Sequence, residues 1–280
     1  MESISVTNQF DILFTTVENY PYDELFHNLK DRNTFLAGKS LNAKQFKNSE
    51  LNSNVLTEIE EKLKDTQVIV MIGAIKTGTS SIGNAWEAKK SKSRKFAFEA
   101  RTMQDARYQE LANNEKIKEI FLDEFSDLKE DAFSQVKGFV EKGKKLILRV
   151  FPISVDNIRQ KLDGDGINFT EVMVLPIKDD EMTRYLSKSL SLSEDDKLIK
   201  FITSVSGGSH LVAQIICNNL IYHSFSEKES EFSASDFRGL LKQSLDQVNS
   251  LQTWNKERAL VPEDLKKLYP DPILQGVKIN

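Results

Sequence analysis

The densest chemical signal in the chain lies in Gly73-Ala74-Ile75-Lys76-Thr77-Gly78-Thr79-Ser80-Ser81, which follows the apolar run Val68-Ile69-Val70-Met71-Ile72. A buried strand, a turn bracketed by two glycines and a helix start make a loop whose backbone N–H groups wrap phosphate oxygens, with the helix dipole adding to the attraction. The pattern G-x-x-x-x-G-K-[ST] places a lysine at position 79 and a hydroxyl for Mg²⁺ at position 80. Here those positions are Thr79 and Ser80, and the lysine of the loop is Lys76, three residues early. The expectation is a phosphate cradle built from Gly73, Lys76, Thr77, Gly78, Thr79, Ser80 and Ser81, with Ser80 as a Mg²⁺ ligand and the usual lysine missing. Loss of one charge-assisted contact weakens phosphate binding by about 1.5–3 kcal/mol, and transition-state stabilisation by more. Lys76 either substitutes from within the loop or points to solvent.

Two further segments carry matching chemistry. Ile120-Phe121-Leu122 runs into Asp123-Glu124, and a strand-end aspartate can hold Mg²⁺ while an adjacent glutamate polarises an attacking water. Asp123 is therefore read as metal-positioning and Glu124 as the general base. The run Lys145-Leu146-Ile147-Leu148-Arg149-Val150 is expected beside the loop strand, where Arg149 either senses a terminal phosphate or pairs with a carboxylate. Ser206-Gly207-Gly208-Ser209-His210 reads as a helix-to-helix turn in which glycine supplies backbone freedom. His210 is either a nucleotide contact or a structural histidine.

The elements that must position these groups follow from periodicity. From Val55 onward, apolar runs alternate with amphipathic helices: strands at 68–72, 95–100, 118–123, 145–150 and 171–175, and helices at about 79–90, 103–113, 130–142 and 154–161. Such alternation requires crossover connections and predicts a three-layer α/β core with a mostly parallel sheet. After Pro176 the strand signal stops, and 179–190, 194–205, 209–225 and 233–249 read as helices. The expected organisation is an N-terminal polar, helical segment over 1–50, an α/β core over 51–177, a helical subdomain over 178–250 and an extended or loosely packed tail over 251–280.

Composition bounds the rest. The 280 residues are 39% apolar and 29% charged, and Lys+Arg 38 against Asp+Glu 42 gives a formal charge of -4. That balance disfavours a mainly electrostatic nucleic-acid binder. A single cysteine, Cys217, forms no internal disulfide and suits a reducing compartment. No signal-like start and no apolar run of about 20 residues is present, so the expectation is a cytoplasmic protein. The basic run from Lys89 to Lys95 reads as a solvated helix end, with a phosphate-backbone contact as the functional alternative.

In order and spacing, GAIKTGTSS, IFLDEFSDL, LILRVFP, FTEVMVLPIKDDEMTRYL and ITSVSGGSHLVAQII resemble the AAA+/STAND class of P-loop ATPases, in particular its archaeal-type ATPase branch, over roughly residues 50–250. The resemblance implies a P-loop NTPase core followed by a helical lid, ATP or ADP with Mg²⁺ as ligands, a switch between nucleotide states, and protein partners or a homo-oligomer. It departs from the family in its degenerate loop at Thr79. Three other readings fail. KTGTS resembles a box of the penicillin-recognising serine enzymes, but the S-x-x-K of this chain, Ser126 to Lys129, lies downstream instead of upstream. Three histidines and one cysteine make no zinc spacing. Asp163-Gly164-Asp165-Gly166 lacks the later calcium ligands and reads as a turn.

The functional expectation is an ATP-binding, Mg²⁺-dependent nucleotide switch with weak or partner-dependent hydrolysis, working in a larger protein assembly. The alternative is a pseudo-ATPase scaffold that no longer binds nucleotide, with a DNA-handling ATPase subunit ranking below it. Lysine loss favours the scaffold, whereas the Asp123-Glu124 pair favours the enzyme.

Overall fold

The computed structural model describes residues 6–25, 53–73, 77–89, 94–99, 105–125, 131–226, 232–250 and 262–268. In chain order these form α1 (Val6–Thr15), α2 (Ser53–Asp65), β1 (Val68–Gly73), α3 (Thr79–Ala88), β2 (Arg94–Glu99), α4 (Asp105–Asn113) and β3 (Ile117–Asp123). There follow α5 (Asp131–Glu141), β4 (Lys145–Val150), α6 (Val155–Gly164), β5 (Phe169–Val174), α7 (Asp179–Leu190), α8 (Lys197–Ser206), α9 (His210–Ser226), α10 (Ala234–Ser250) and α11 (Glu263–Lys266). The described residues divide into two compact units: those of Ser40–Leu175 and Lys256–Tyr269, and those of Met1–Lys39, Pro176–Asn255 and Pro270–Asn280.

The first unit is the α/β core expected from the alternating pattern. Its five strands are all parallel, in the order β2-β3-β4-β1-β5. β1 is buried along its whole length, as a central parallel strand covered on both faces must be. Its register sets Met71 beside Arg149 on β4 and Gly73 beside Val174 on β5. On one face, Val55, Ile59 and Leu63 of α2 and Ile82 and Trp86 of α3 join Ile69, Met71, Phe121, Ile147 and Val172 in one apolar cluster. Each such large side chain contributes about 1.5–3 kcal/mol by leaving water. On α3, Gly83 lets that helix sit directly on β3, since a Cβ there would stand 2.7 Å from the Phe121 ring.

Polar ties close the unit at its edges. Arg159 of α6 grips Glu171 of β5 through both carboxylate oxygens, at 2.6 and 2.8 Å. Lys144 is buried and donates to the carbonyls of Asn114 and Ile117, both at 2.7 Å. The tail is not wholly loose: α11 begins after Pro262 and buries Leu265. Proline before a helix start is permitted because the first turn has no partner for its N–H groups, so the proline signal there marks a cap.

The second unit is helical. Phe10 and Phe14 of α1 pack with Phe201 of α8, and Phe14 stacks on Phe237 of α10. Gly207 and Gly208, at φ 54° and 77°, turn the chain between α8 and α9. There the Ile177 N–H donates to the Gly208 carbonyl at 2.9 Å. Glycine is required at 208 twice over, because a Cβ would also stand 2.6 Å from the Ile177 carbonyl oxygen. Among the described residues no helix is long and apolar enough to cross a membrane.

Candidate functional site

A sheet of parallel strands collects all its strand ends on one edge, and ligands of such sheets bind in the crevice outside the carboxyl ends. Here that edge carries Gly73 from β1, Asp123 from β3 with Glu124 just beyond it, and Arg149 from β4. The strand order seats β4 beside β1, as expected from the sequence, and between β1 and β3.

Gly78 caps α3 at φ 94°, a left-handed conformation that favours glycine, and Thr79 is the first helical residue. The first amides of any helix have no earlier helical turn to bond to, and in α3 these follow Gly78. Gly73 allows α3 to start where it does. A Cβ on Gly73 would lie 2.3 Å from Thr79 Cγ2 and 3.2 Å from both Thr77 Oγ1 and Val174 Cβ. Thr77, Thr79 and Ser81 are buried, while Gly78 and Ser80 keep partial exposure. Lys76 lies outside the described residues, as do most of the Lys89–Lys95 run and the S-x-x-K segment.

Arg149 is the chief surprise. Only 4% of its side chain is exposed, yet its Nε donates to Thr79 Oγ1 at 3.0 Å and lies 3.6 Å from Asp123 Oδ1. Its guanidinium carbon stands 3.9 Å above the Phe151 ring. Of the two sequence readings of this arginine, the geometry shows the carboxylate, Asp123, and does not test the phosphate. Sequence reasoning missed its bond to Thr79, which joins positions 70 apart; the one available signal was a cation on the strand expected beside β1.

Asp123 keeps 19% of its side chain exposed and accepts the Glu124 N–H through Oδ1 at 3.0 Å. Its contacts to the Glu124 N–H and to Arg149 Nε both use Oδ1. Glu124 sits in the left-handed region at φ 53°, a conformation that costs a non-glycine residue about 1–2 kcal/mol. Among the described residues no group of three or more His, Cys, Asp or Glu is arranged to hold a metal ion. A hydroxyl at Ser80 and one carboxylate at Asp123 fit Mg²⁺, which takes oxygen ligands and retains water or phosphate in its other positions.

His210, at the start of α9, belongs to the helical unit. It is buried, packs edge-on to Tyr185 at 4.8 Å between ring centroids, and burial pushes its pKa down to about 4. In the same unit, burial raises the Cys217 thiol to about 12, so it is an unreactive core group. Two other arginines of the described residues are already paired: Arg159 with Glu171, and Arg107 with Glu110. Arg101 lies outside the described residues.

No known protein family's profile matches this chain, and no curated protein is significantly similar to it in sequence. Among solved structures it is similar to the Walker-type ATPase Paby2304 of Pyrococcus abyssi, at 13% identity and a TM-score of 0.56, over 74% of each chain. A weaker likeness, at 11% identity and a TM-score of 0.45, joins 80% of this chain to 86% of the RuvB Holliday junction branch migration motor of Thermotoga maritima. With its parallel sheet, its glycine-bracketed loop after β1 and its likeness to the Walker-type ATPase Paby2304, the chain has the fold of the P-loop ATPases.

Proposed function

We propose that the chain binds ATP or ADP with Mg²⁺ in the crevice at the ends of β1, β3 and β4, and acts as a nucleotide switch of the AAA+/STAND type. One observation carries this reading: a buried guanidinium, Arg149, stands at the N-terminal end of α3. The helix N-terminus already holds roughly half a positive charge, so a cation there is destabilising unless an anion joins it. Asp123 supplies one carboxylate, at a distance of 3.6 Å. A phosphate chain completes the balance, and the amides that open α3 give its oxygens donors.

The roles divide by position. Gly73, Thr77 and Gly78 shape the loop, and the N–H groups of Thr79, Ser80 and Ser81 face phosphate. Ser80 and Asp123 hold Mg²⁺, which when bound neutralises charge on the phosphates. Glu124 orients water and accepts its proton. Turnover is weak or depends on a partner in a larger assembly, because no lysine follows Gly78. His210 is a structural histidine of the helical unit in this reading, its neutral ring held by burial.

A pseudo-ATPase scaffold is the second reading, favoured by Thr79 itself. Calorimetric titration of ATP and ADP separates the two: binding weakened by Ser80→Ala and Asp123→Ala supports the switch, whereas no heat at millimolar nucleotide leaves the scaffold.

A further inference from the structure

Glycine weakens the interior of a helix relative to alanine, so a glycine there calls for a reason. Gly239 lies in the first half of α10 and is not among the positive-φ residues. Among the described residues, no neighbouring atom lies within 4 Å of a Cβ built on it. Packing inside the helical unit therefore does not require the glycine; the space above it stays open, and bare backbone is what a close-lying ligand needs. That space belongs to an open pocket of about 310 Å³ between α9 and α10, within the helical unit. Around Gly239 the wall presents Tyr222 and His223 of α9 with Asp236 and Leu240 of α10.

We propose that this pocket receives an arginine side chain of a partner protein, with the Asp236 carboxylate meeting its charge and the Tyr222 ring its plane. The inference concerns the partner and not the nucleotide, so it stands under either functional reading, switch or scaffold. Asp236 is held in place: its Oδ2 accepts the Ser233 N–H at 2.8 Å and the Ser233 hydroxyl at 2.5 Å, while Ser233 Oγ accepts the Asp236 N–H at 3.3 Å. This reciprocal cap fixes the start of α10. The bonds from Ser233, with a smaller pull from His223, hold the carboxyl below the usual carboxylate range. Tyr222 is 66% exposed, although its helix buries Ile216, Leu220 and Ile221. A guanidinium suits both groups, since its N–H fork matches a carboxylate and its plane stacks on an aromatic face. Leu240 and the bare backbone at Gly239 give the aliphatic stem an apolar wall. An anion would instead meet Asp236, and no lysine or arginine stands among the described lining residues to answer it. Arginine and tyrosine are also the residue types that anchor protein interfaces.

The test is an NMR titration of the full, isotope-labelled chain with N-acetyl-arginine methylamide, beside its citrulline counterpart, which keeps the shape and lacks the charge. The arginine probe should give saturable shifts at Tyr222, Asp236 and Gly239, with a dissociation constant on the order of millimolar. The citrulline probe should bind about 3- to 30-fold more weakly, and Asp236→Asn should weaken the arginine probe about two- to fivefold. Gly239→Leu fills the pocket and should abolish the shift at Tyr222 while raising the thermal midpoint, because leucine is the better helix former. Binding lost from a more stable chain does not come from misfolding. Equal binding of the two probes, undiminished binding by Gly239→Leu, or no shift at these residues with the arginine probe at about 0.1 M, roughly 100-fold above the expected constant, would overturn the proposal. If Asp236→Asn does not fold, the comparison of the two probes on the native chain decides whether charge is read.

Discussion

Gly73→Ala, made alone and with Thr79→Ser, tests whether the contact between the end of β1 and the start of α3 is as tight as described. Gly73 is not among the positive-φ residues, so alanine meets no backbone penalty and should gain about 0.4–1 kcal/mol by restricting the unfolded chain. Against that stands a Cβ at 2.3 Å from Thr79 Cγ2, well inside van der Waals contact. Two responses are open. Either the backbone shifts, at about 1–3 kcal/mol for overpacking, or Thr79 rotates about χ1 and breaks its bond to Arg149. That bond is charge-assisted, so breaking it costs a comparable 1.5–3 kcal/mol, roughly. The net expectation is a loss of about 1–2 kcal/mol from these terms. Thr79→Ser removes the offending methyl and keeps the hydroxyl, so alone it should cost about 1 kcal/mol of burial. In the double variant the clash is gone, and the two changes should be non-additive by about 1 kcal/mol or more in the favourable direction. Urea unfolding followed by the fluorescence of the buried Trp86, in a Trp254→Phe background, reads the core unit. Additivity to within about 0.5 kcal/mol would refute the contact.

Other expectations follow from single residues. Glu124→Gly should stabilise the core unit by about 1 kcal/mol, by relieving the left-handed backbone, while abolishing any ATP turnover; turnover retained with the carboxylate gone would remove Glu124 from the mechanism. His210 titrates at about 4 in the folded chain against about 6.5 unfolded. Its depressed value means that the unfolded state binds more protons, so its contribution is full above the unfolded pKa and is lost as pH falls from about 6.5 towards 4. Between pH 7 and 4.5 that contribution amounts to about 2–3 kcal/mol, and His210→Phe should flatten the corresponding part of the stability profile. An unchanged profile would place the histidine in contact with water.

Much of the fold was legible because each strand of the core is a short apolar run and each crossover an amphipathic helix. β1 at Val68–Gly73 and α3 at Thr79–Ala88 were readable from the apolar run and the glycine spacing alone. The change to helices after Pro176 was legible because strand periodicity ends there. The position of Arg149 beside β1 followed from its strand, but its bond to Thr79 did not, since it depends on strand order and on the inward turn of one β-branched side chain. Glu124 gave no sign of its left-handed backbone, because glutamate carries no preference for that region. His210 read as a candidate contact, since nothing local in Ser209-His210-Leu211 announces the burial that keeps it neutral. Tail prolines suggested an extended end, although Pro262 caps a short helix that buries Leu265.

The most direct test of the central claim is a crystal structure of the chain with Mg²⁺ and a non-hydrolysable ATP analogue. The account predicts a triphosphate lying along the Gly78–Ser81 amides, with phosphate oxygens in hydrogen-bond reach of Arg149 and the metal between Ser80 and Asp123. Analogue seated elsewhere on the chain, or an empty crevice at saturating analogue with Arg149 still bound to Thr79 and Asp123, would contradict it.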